Sequence, residues 1–274
     1  MLGAITEAAR RAGDHLLRRQ ADRDRLTVER KGRSDFVTAV DRESEDLIAS
    51  CLEAHCPGIP FLAEESADRK AGGAERWIVD PLDGTTNFLH GYPCFAVSIA
   101  LQSGGRLVAG AVFNPVADEL FAATGDTPTT LNGDPVSVST VTDLAEALLT
   151  TGFPFKLLTR LETYLAGFSR LLSSSSGVRR DGSAALDLCA VAAGRADGFW
   201  EFGLAPWDVA AGGLLVRQAG GRATDVAGGA AWLEGESIVA ATPGIHERML
   251  ALLAEADRAD TGAAGRSVSS RGGS

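Results

Sequence analysis

The chain is poor in the residues that build thiolate metal sites, membrane spans and nucleic-acid surfaces. It has four cysteines, Cys51, Cys56, Cys94 and Cys189, and no CxxC pair among them. A zinc ribbon or a CxxC redox centre is therefore not expected; the thiols read as reduced, Cys189 as a core residue, and the compartment as cytoplasmic. Histidine is as scarce, at four. Only His55, beside Cys56, comes near a cysteine, and a zinc site there is not expected. Positive charge is in deficit: 26 Lys and Arg face 36 Asp and Glu, a formal net charge of -10. That balance argues against nucleic acid as the main partner and against an anionic membrane surface. No apolar run approaches the roughly 18 to 20 residues of a membrane span. The first residues, MLGAITEAARRAGDHLLRR, show no apolar signal-peptide region, so no export signal is expected.

What is present is the composition of an ordinary globular protein, 45% hydrophobic and 23% charged over 274 residues. Leu2, Ile5, Ala9, Ala12 and Leu16 keep a helical period, and Val40, Leu47, Ile48, Cys51, Leu52 and His55 mark a second helix closed by Pro57-Gly58. FAVSIALQ, RLVAGAVFNP and ELFAAT, separated by SGG and NPVAD, read as antiparallel strands. From about residue 143 strand and helix patterns alternate. The expected organisation is an N-terminal α+β subdomain (1–142), a C-terminal α/β subdomain (143–256) and a disordered tail (257–274), with a cleft between the subdomains.

Acids gather at the ends of apolar runs. Glu64 and Glu65 close one, Asp80 and Asp83 close WIVDPLD, and Asp208 follows Pro206-Trp207. Carboxylates that converge repel unless a cation lies between them. Hard oxygen ligands without histidine or cysteine suit Mg2+. Pro81 stiffens the turn, so that Asp80, the Leu82 carbonyl and Asp83 can face one point. Gly84-Thr85-Thr86 then offers backbone N–H groups which, at the start of a helical turn, would hold a phosphate. Plain helix capping by Asp83 or Thr85 is the competing explanation of the same residues.

AEES, WIVDPLDGTTNFLHGYPCFAVSIAL, GSAALDLCAVAAGRADGFWE and PWDVAAGGLLVRQAGG together resemble the inositol monophosphatase family of Mg2+-dependent, lithium-sensitive phosphatases. The resemblance spans roughly residues 1 to 255. It implies a layered αβαβα sandwich of α+β and α/β character, usually a homodimer. It also implies Glu64, Asp80, the Leu82 carbonyl, Asp83 and Asp208 as ligands of two or three Mg2+ ions. One metal would activate a water for direct attack and another would stabilise the leaving alkoxide. Thr85, paired with Asp41, would orient that water together with Glu64, and the Gly84 and Thr85 N–H groups would hold the phosphate. Glu65 would sit behind the ligands and Lys31 at the rim. Asp83, Ser183, Ala184 and Glu201 would line the substrate pocket.

The expected activity is hydrolysis of myo-inositol monophosphate or a similar small polyol phosphate. Glu201 favours a polyhydroxylated substrate, because a carboxylate accepts from vicinal hydroxyls. Histidinol phosphate, fructose 1,6-bisphosphate and 3′-phosphoadenosine 5′-phosphate are the rival substrates; a nucleotide would want a stacking aromatic, and none is obvious. A non-catalytic regulatory binding protein on the same fold is the rival class. Arg179-Arg180 reads as a solvated pair, and Trp77 and Trp207 as packing that fixes the acids beside them.

Overall fold

A computed structural model describes residues 1–22, 28–32, 35–66, 74–155, 157–234 and 237–268, with the side chains of 28–38 and 257–268 outside the description. The Lys31 side chain falls there, as does most of the linker between AEES and WIVD. The elements in order are α1 (Leu2–Ala21), β1 (Val28–Gly32), β2 (Asp35–Thr38), α2 (Ala39–His55), β3 (Phe61–Ala63), β4 (Glu75–Asp83), α3 (Thr85–His90), β5 (Ala96–Ser103), β6 (Arg106–Asn114), β7 (Glu119–Thr124), β8 (Thr130–Leu131) and β9 (Asp134–Pro135). The second half runs β10 (Leu148–Thr151), α4 (Leu161–Ser174), β11 (Gly177–Arg179), α5 (Ala184–Ala192), β12 (Gly198–Phe202), α6 (Pro206–Gln218), β13 (Arg222–Thr224), β14 (Ser237–Ala241) and α7 (Pro243–Val268). Helix α7 continues into the segment expected as a tail, as far as Val268; residues 269–274 lie outside the description.

Five layers follow from which apolar faces meet. One face of the sheet β3-β4-β5-β6-β7-β8-β9 packs on α1 and α2 through Ile5, Leu16, Ile48, Val79 and Val97. Its other face meets α5 and α6 through Ile78, Val112, Leu188 and Val209. Those two helices also cover the second sheet, β11-β10-β12-β14-β13, at Phe199 and Ala240. Beyond it α4 and α7 close the stack through Tyr164, Leu171, Ile245 and Met249. Helices α5 and α6 are apolar nearly all round because they are the middle layer, packed by sheet on both sides. The strands read as antiparallel, β5 with β6 and β6 with β7, pair that way.

One irregularity positions the chemistry. Along β4, Asp80 pairs opposite Ser98 and Asp83 opposite Ala96, so two residues of β4 face one of β5 between those rungs. Pro81 sits in the interruption, where its missing N–H costs no ladder bond. Residues three apart on a regular strand point to opposite faces. Because Ser98 and Ala96 share a face, the bulge turns Asp80 and Asp83 to the same side, towards α5 and α6.

Candidate active site

The acids at the end of β4 meet the N-termini of the two middle helices. Pro206 opens α6, a position that favours proline, and Asp208 in the first turn accepts from the Ala205 N–H at 2.7 Å through Oδ2. The Ser98 hydroxyl, on the rung opposite Asp80, donates to the Trp207 carbonyl at 3.3 Å and ties that turn to the sheet. At α5 the Ser183 hydroxyl donates to Asp83 Oδ2 at 2.6 Å, and the Ala185 N–H donates to the same oxygen at 2.8 Å.

Helix α2 supports the site from the other face. Asp41, Ser44 and Glu45 lie three and four residues apart on one helical stripe, and all three are buried. Asp41 accepts from the Thr85 hydroxyl at 3.2 Å, and Ser44 donates to the Pro81 carbonyl at 2.8 Å. Glu45 accepts from the Glu65 N–H at 3.1 Å and also from the Ser66 hydroxyl, which fixes the turn that carries Glu64. The Thr85 hydroxyl lies 3.1 Å from the Leu82 carbonyl, a second acceptor.

The acids held in this way border one cavity of about 330 Å³, while Asp41, Ser44 and Glu45 stand behind its lining. Glu64, Asp80, Leu82, Asp83 and Asp208 line it, together with Gly84 and Thr85, and with Ser183, Ala184 and Glu201 on the side of the second sheet. Glu65 is not among the lining residues; its backbone is the part held by Glu45. Asp80 is 1% exposed. Burial and then the charges of Glu64, Asp83 and Asp208 push its carboxyl well above the usual range, against the pull of the Leu82 N–H at 2.9 Å. A cluster of this kind, several hard carboxylate oxygens at close quarters around one buried acid, is the donor set that a small divalent cation fits.

Gly84 adopts φ +92°, and a side chain there would press on the Cys94 carbonyl at 2.9 Å. Helix α3 starts directly after it, and Gly84, Thr85, Thr86 and Asn87 all line the cavity. The cap position is Gly84 with no side-chain cap, so neither Asp83 nor Thr85 is spent on capping. Ser183, by contrast, does cap: its Oγ accepts from the Leu186 N–H at 3.3 Å while its proton goes to Asp83.

On the opposite wall, the Glu201 carboxylate lies flat against Gly152, where a Cβ would overlap it. Arg180 also lines the cavity, with its guanidinium 5.4 Å from the ring centres of both Phe153 and Phe155. Arg179 and Arg180 are both exposed, as expected of a solvated pair, but two aromatics from a separate loop also reach Arg180. Phe153 and Phe155 themselves border the cavity, Phe155 45% exposed, so the absence of a stacking aromatic is corrected. Sequence reasoning also passed over Asn87, whose Nδ2 donates to the Cys94 and Asp181 carbonyls at 2.7 and 2.8 Å, and Asp187, a buried acid that lines the cavity. A lone aspartate inside the apolar run ALDLCAVAA was the available signal for the latter. Trp77 is fully buried as packing.

Comparison with known proteins gives the same frame. Residues 1–258 match the model of the inositol monophosphatase family. The chain is 43% identical over 252 residues to Nus factor SuhB of Escherichia coli strain K12, covering 92% of this chain and 94% of that protein. The crystal structure of extragenic suppressor protein suhB from Bartonella henselae superposes with a TM-score of 0.87 at 43% identity, over 92% of this chain and 97% of that one. Inositol monophosphatase from Anabaena (Nostoc) sp. PCC 7120 gives 0.84 at 37% identity, over 93% and 95%. By sequence, by layered architecture and by the match over nearly its whole described length, the chain belongs to the inositol monophosphatase family.

Proposed function

We propose that the protein is a Mg2+-dependent phosphomonoesterase acting on myo-inositol monophosphate or a similar small polyol phosphate. The observation that carries this reading is the convergence of Glu64, Asp80, Asp83 and Asp208 on one cavity whose far wall presents Glu201. Glu64, Asp80, the Leu82 carbonyl, Asp83 and Asp208 are the groups that would hold Mg2+. When bound, Mg2+ supplies the positive charge that makes a water nucleophilic at neutral pH and steadies the departing oxygen.

The protein's own groups do the remaining work. The Thr85 proton is directed at Asp41 and the Leu82 carbonyl, which leaves the Thr85 oxygen lone pairs to accept from a water. A Glu64 carboxylate oxygen accepts a hydrogen bond from the other O–H of that water, so the two groups fix its line of attack. The Gly84 and Thr85 N–H groups hold the phosphate oxygens in place as charge develops on them. Glu201 accepts from hydroxyls of the leaving alcohol, with Ser183 and Ala184 beside it. Glu65 steadies the ligand turn from behind, through its bond to Glu45. Family resemblance further suggests a homodimer; Leu165 and Leu172, seven residues apart and 44% and 48% exposed on α4, leave apolar surface that an association would cover.

Phosphate release measured across inositol monophosphate, histidinol phosphate, fructose 1,6-bisphosphate and 3′-phosphoadenosine 5′-phosphate tests the substrate. A preference for the inositol ester is expected, and a preference for the nucleotide would assign Phe153 and Phe155 to base stacking instead. A second reading comes from the name Nus factor carried by the Escherichia coli relative. On that reading the chain also binds a protein of the transcription machinery. A net charge of -10 speaks against nucleic acid as the direct contact and leaves a protein contact open.

A further inference from the structure

Away from the cavity, the helix pair α1 and α2 brings together three groups that the phosphatase chemistry does not use. Cys51 and His55 are four residues apart on α2 and so share a face, and Glu7 of α1 packs against both. The Cys51 thiol, a His55 ring nitrogen and a Glu7 carboxylate oxygen all lie within 4.8 Å of one another. Cys51 is 3% exposed, and the other two open to solvent, so an ion could enter from outside and reach a sheltered sulfur.

Two details go beyond proximity. His55 Nδ1 lies 2.9 Å from the Cys51 carbonyl, an acceptor that draws the ring proton to Nδ1. Nε2 is then the ring nitrogen that faces Glu7 Oε2, 3.6 Å away, where an ion between them would replace any proton. That is the orientation of a ligating histidine, with its second nitrogen anchored to a backbone carbonyl. Arg11, meanwhile, sits 3.5 Å from Glu7 Oε1 and bonds towards the Cys51 sulfur. The group already attracts a cation, and it holds one through an exposed side chain that can swing away.

We infer that Glu7, Cys51 and His55 form a second metal site, a one-sulfur, one-nitrogen, one-carboxylate set for Zn2+ with solvent as the fourth ligand. Hard carboxylate oxygens at the main cavity select Mg2+, whereas a thiolate and an imidazole select a softer ion, so the two sites take different metals. Binding replaces the thiol proton, which leaves to solvent, and Arg11 gives up its contacts. The ion would clip α1 to α2, the helix whose Asp41, Ser44 and Glu45 brace the main cavity. The absence of CxxC spacing hid this set, since its members come from two helices and only one pair has a recognisable interval.

Cobalt is the probe, because thiolate-bound Co2+ has a near-ultraviolet charge-transfer band that oxygen-bound Co2+ lacks. The full-length protein, saturated with Mg2+ to occupy the main cavity, is titrated with Co2+. The expected result is a thiolate band that saturates at one equivalent and disappears on adding Zn2+. It should be lost in Cys51→Ser and retained in Cys56→Ser. The surface variants His55→Gln and Glu7→Gln, which disturb no core packing, should each weaken Co2+ binding about tenfold or more. No band at excess Co2+, or a band unchanged in Cys51→Ser, or binding unchanged in both surface variants, overturns the site. Phosphatase activity is not the readout, so failure here leaves the proposed reaction untouched, and the reverse holds too.

Discussion

The Ser183 hydroxyl bridges the two halves of the chain: it donates to Asp83 Oδ2 at 2.6 Å while its oxygen caps α5 at the Leu186 N–H. One side chain thus serves as a helix cap and as a clamp on a carboxylate a hundred residues earlier. Ser183→Ala removes both roles. Loss of the cap costs about 1 kcal/mol, and Asp83 keeps only the Ala185 N–H of its two α5 donors. A lowered urea midpoint at unchanged m-value is expected, with an increased Mg2+ requirement for phosphate release. An unchanged midpoint and Mg2+ requirement would show that the clamp carries nothing.

Thr85 is held by Asp41 and the Leu82 carbonyl, so its oxygen has a fixed direction. Thr85→Ala is expected to lower kcat about 10²- to 10⁴-fold, the range of a positioned proton-handling group, with little change in KM. Thr85→Ser should recover most of the rate. Equal kcat for alanine and serine variants would remove Thr85 from the reaction.

How much of this was legible in the sequence differs between elements. The strands after WIVD were readable because their alternating and β-branched residues meet turn signals at each end. The acids of DPLD were visible as a pair, but three-residue spacing on a strand puts two side chains on opposite faces. Only the pairing with Ser98 and Ala96 shows that a bulge brings Asp80 and Asp83 to one side. Arg180 reads as solvated and is exposed, but its place at the cavity was not legible, because the rings beside it come from residues 153 and 155. Asp187 was passed over because the helix around it is apolar for packing reasons. Local pattern sets elements and motifs, and contacts across long loops decide which polar groups face the same space.

Gly152 leaves room for the Glu201 carboxylate. In Gly152→Ala the new methyl pushes that carboxylate from its place on the cavity wall. KM for a polyol phosphate is expected to rise about tenfold, the equivalent of ~1.4 kcal/mol, while an ester without vicinal hydroxyls is unaffected. Steady-state kinetics on both substrates makes the comparison. A parallel loss on the two would mean that Glu201 does not choose the substrate.

Asp187 is 3% exposed. Burial first, then the charges of Glu201, Asp181 and Asp83, raise its carboxyl well above the usual range, with Arg180 opposing. The folded state therefore holds a proton that the unfolded chain releases at lower pH. Its contribution to stability is complete below the unfolded carboxylate value and is lost as pH rises through the raised value. Asp187→Asn keeps a neutral side chain at all pH. In EDTA, the Tm of the wild type is expected to fall more steeply between mildly acidic and neutral pH than that of Asp187→Asn. Parallel Tm curves would contradict a neutral Asp187 in the folded protein. The raised Asp80 carboxyl is common to both proteins and cancels in the comparison.

The most direct test of a Mg2+-dependent phosphatase is Asp83→Asn, assayed for phosphate release from myo-inositol monophosphate across a Mg2+ titration. An asparagine oxygen can still accept from Ser183 and Ala185, so the fold is kept while one ligand charge is removed. Wild-type release that requires Mg2+, and a variant reduced to near background at the same Mg2+ concentration, is the predicted outcome. Equal release by the two proteins, or wild-type release that persists in EDTA, would contradict it.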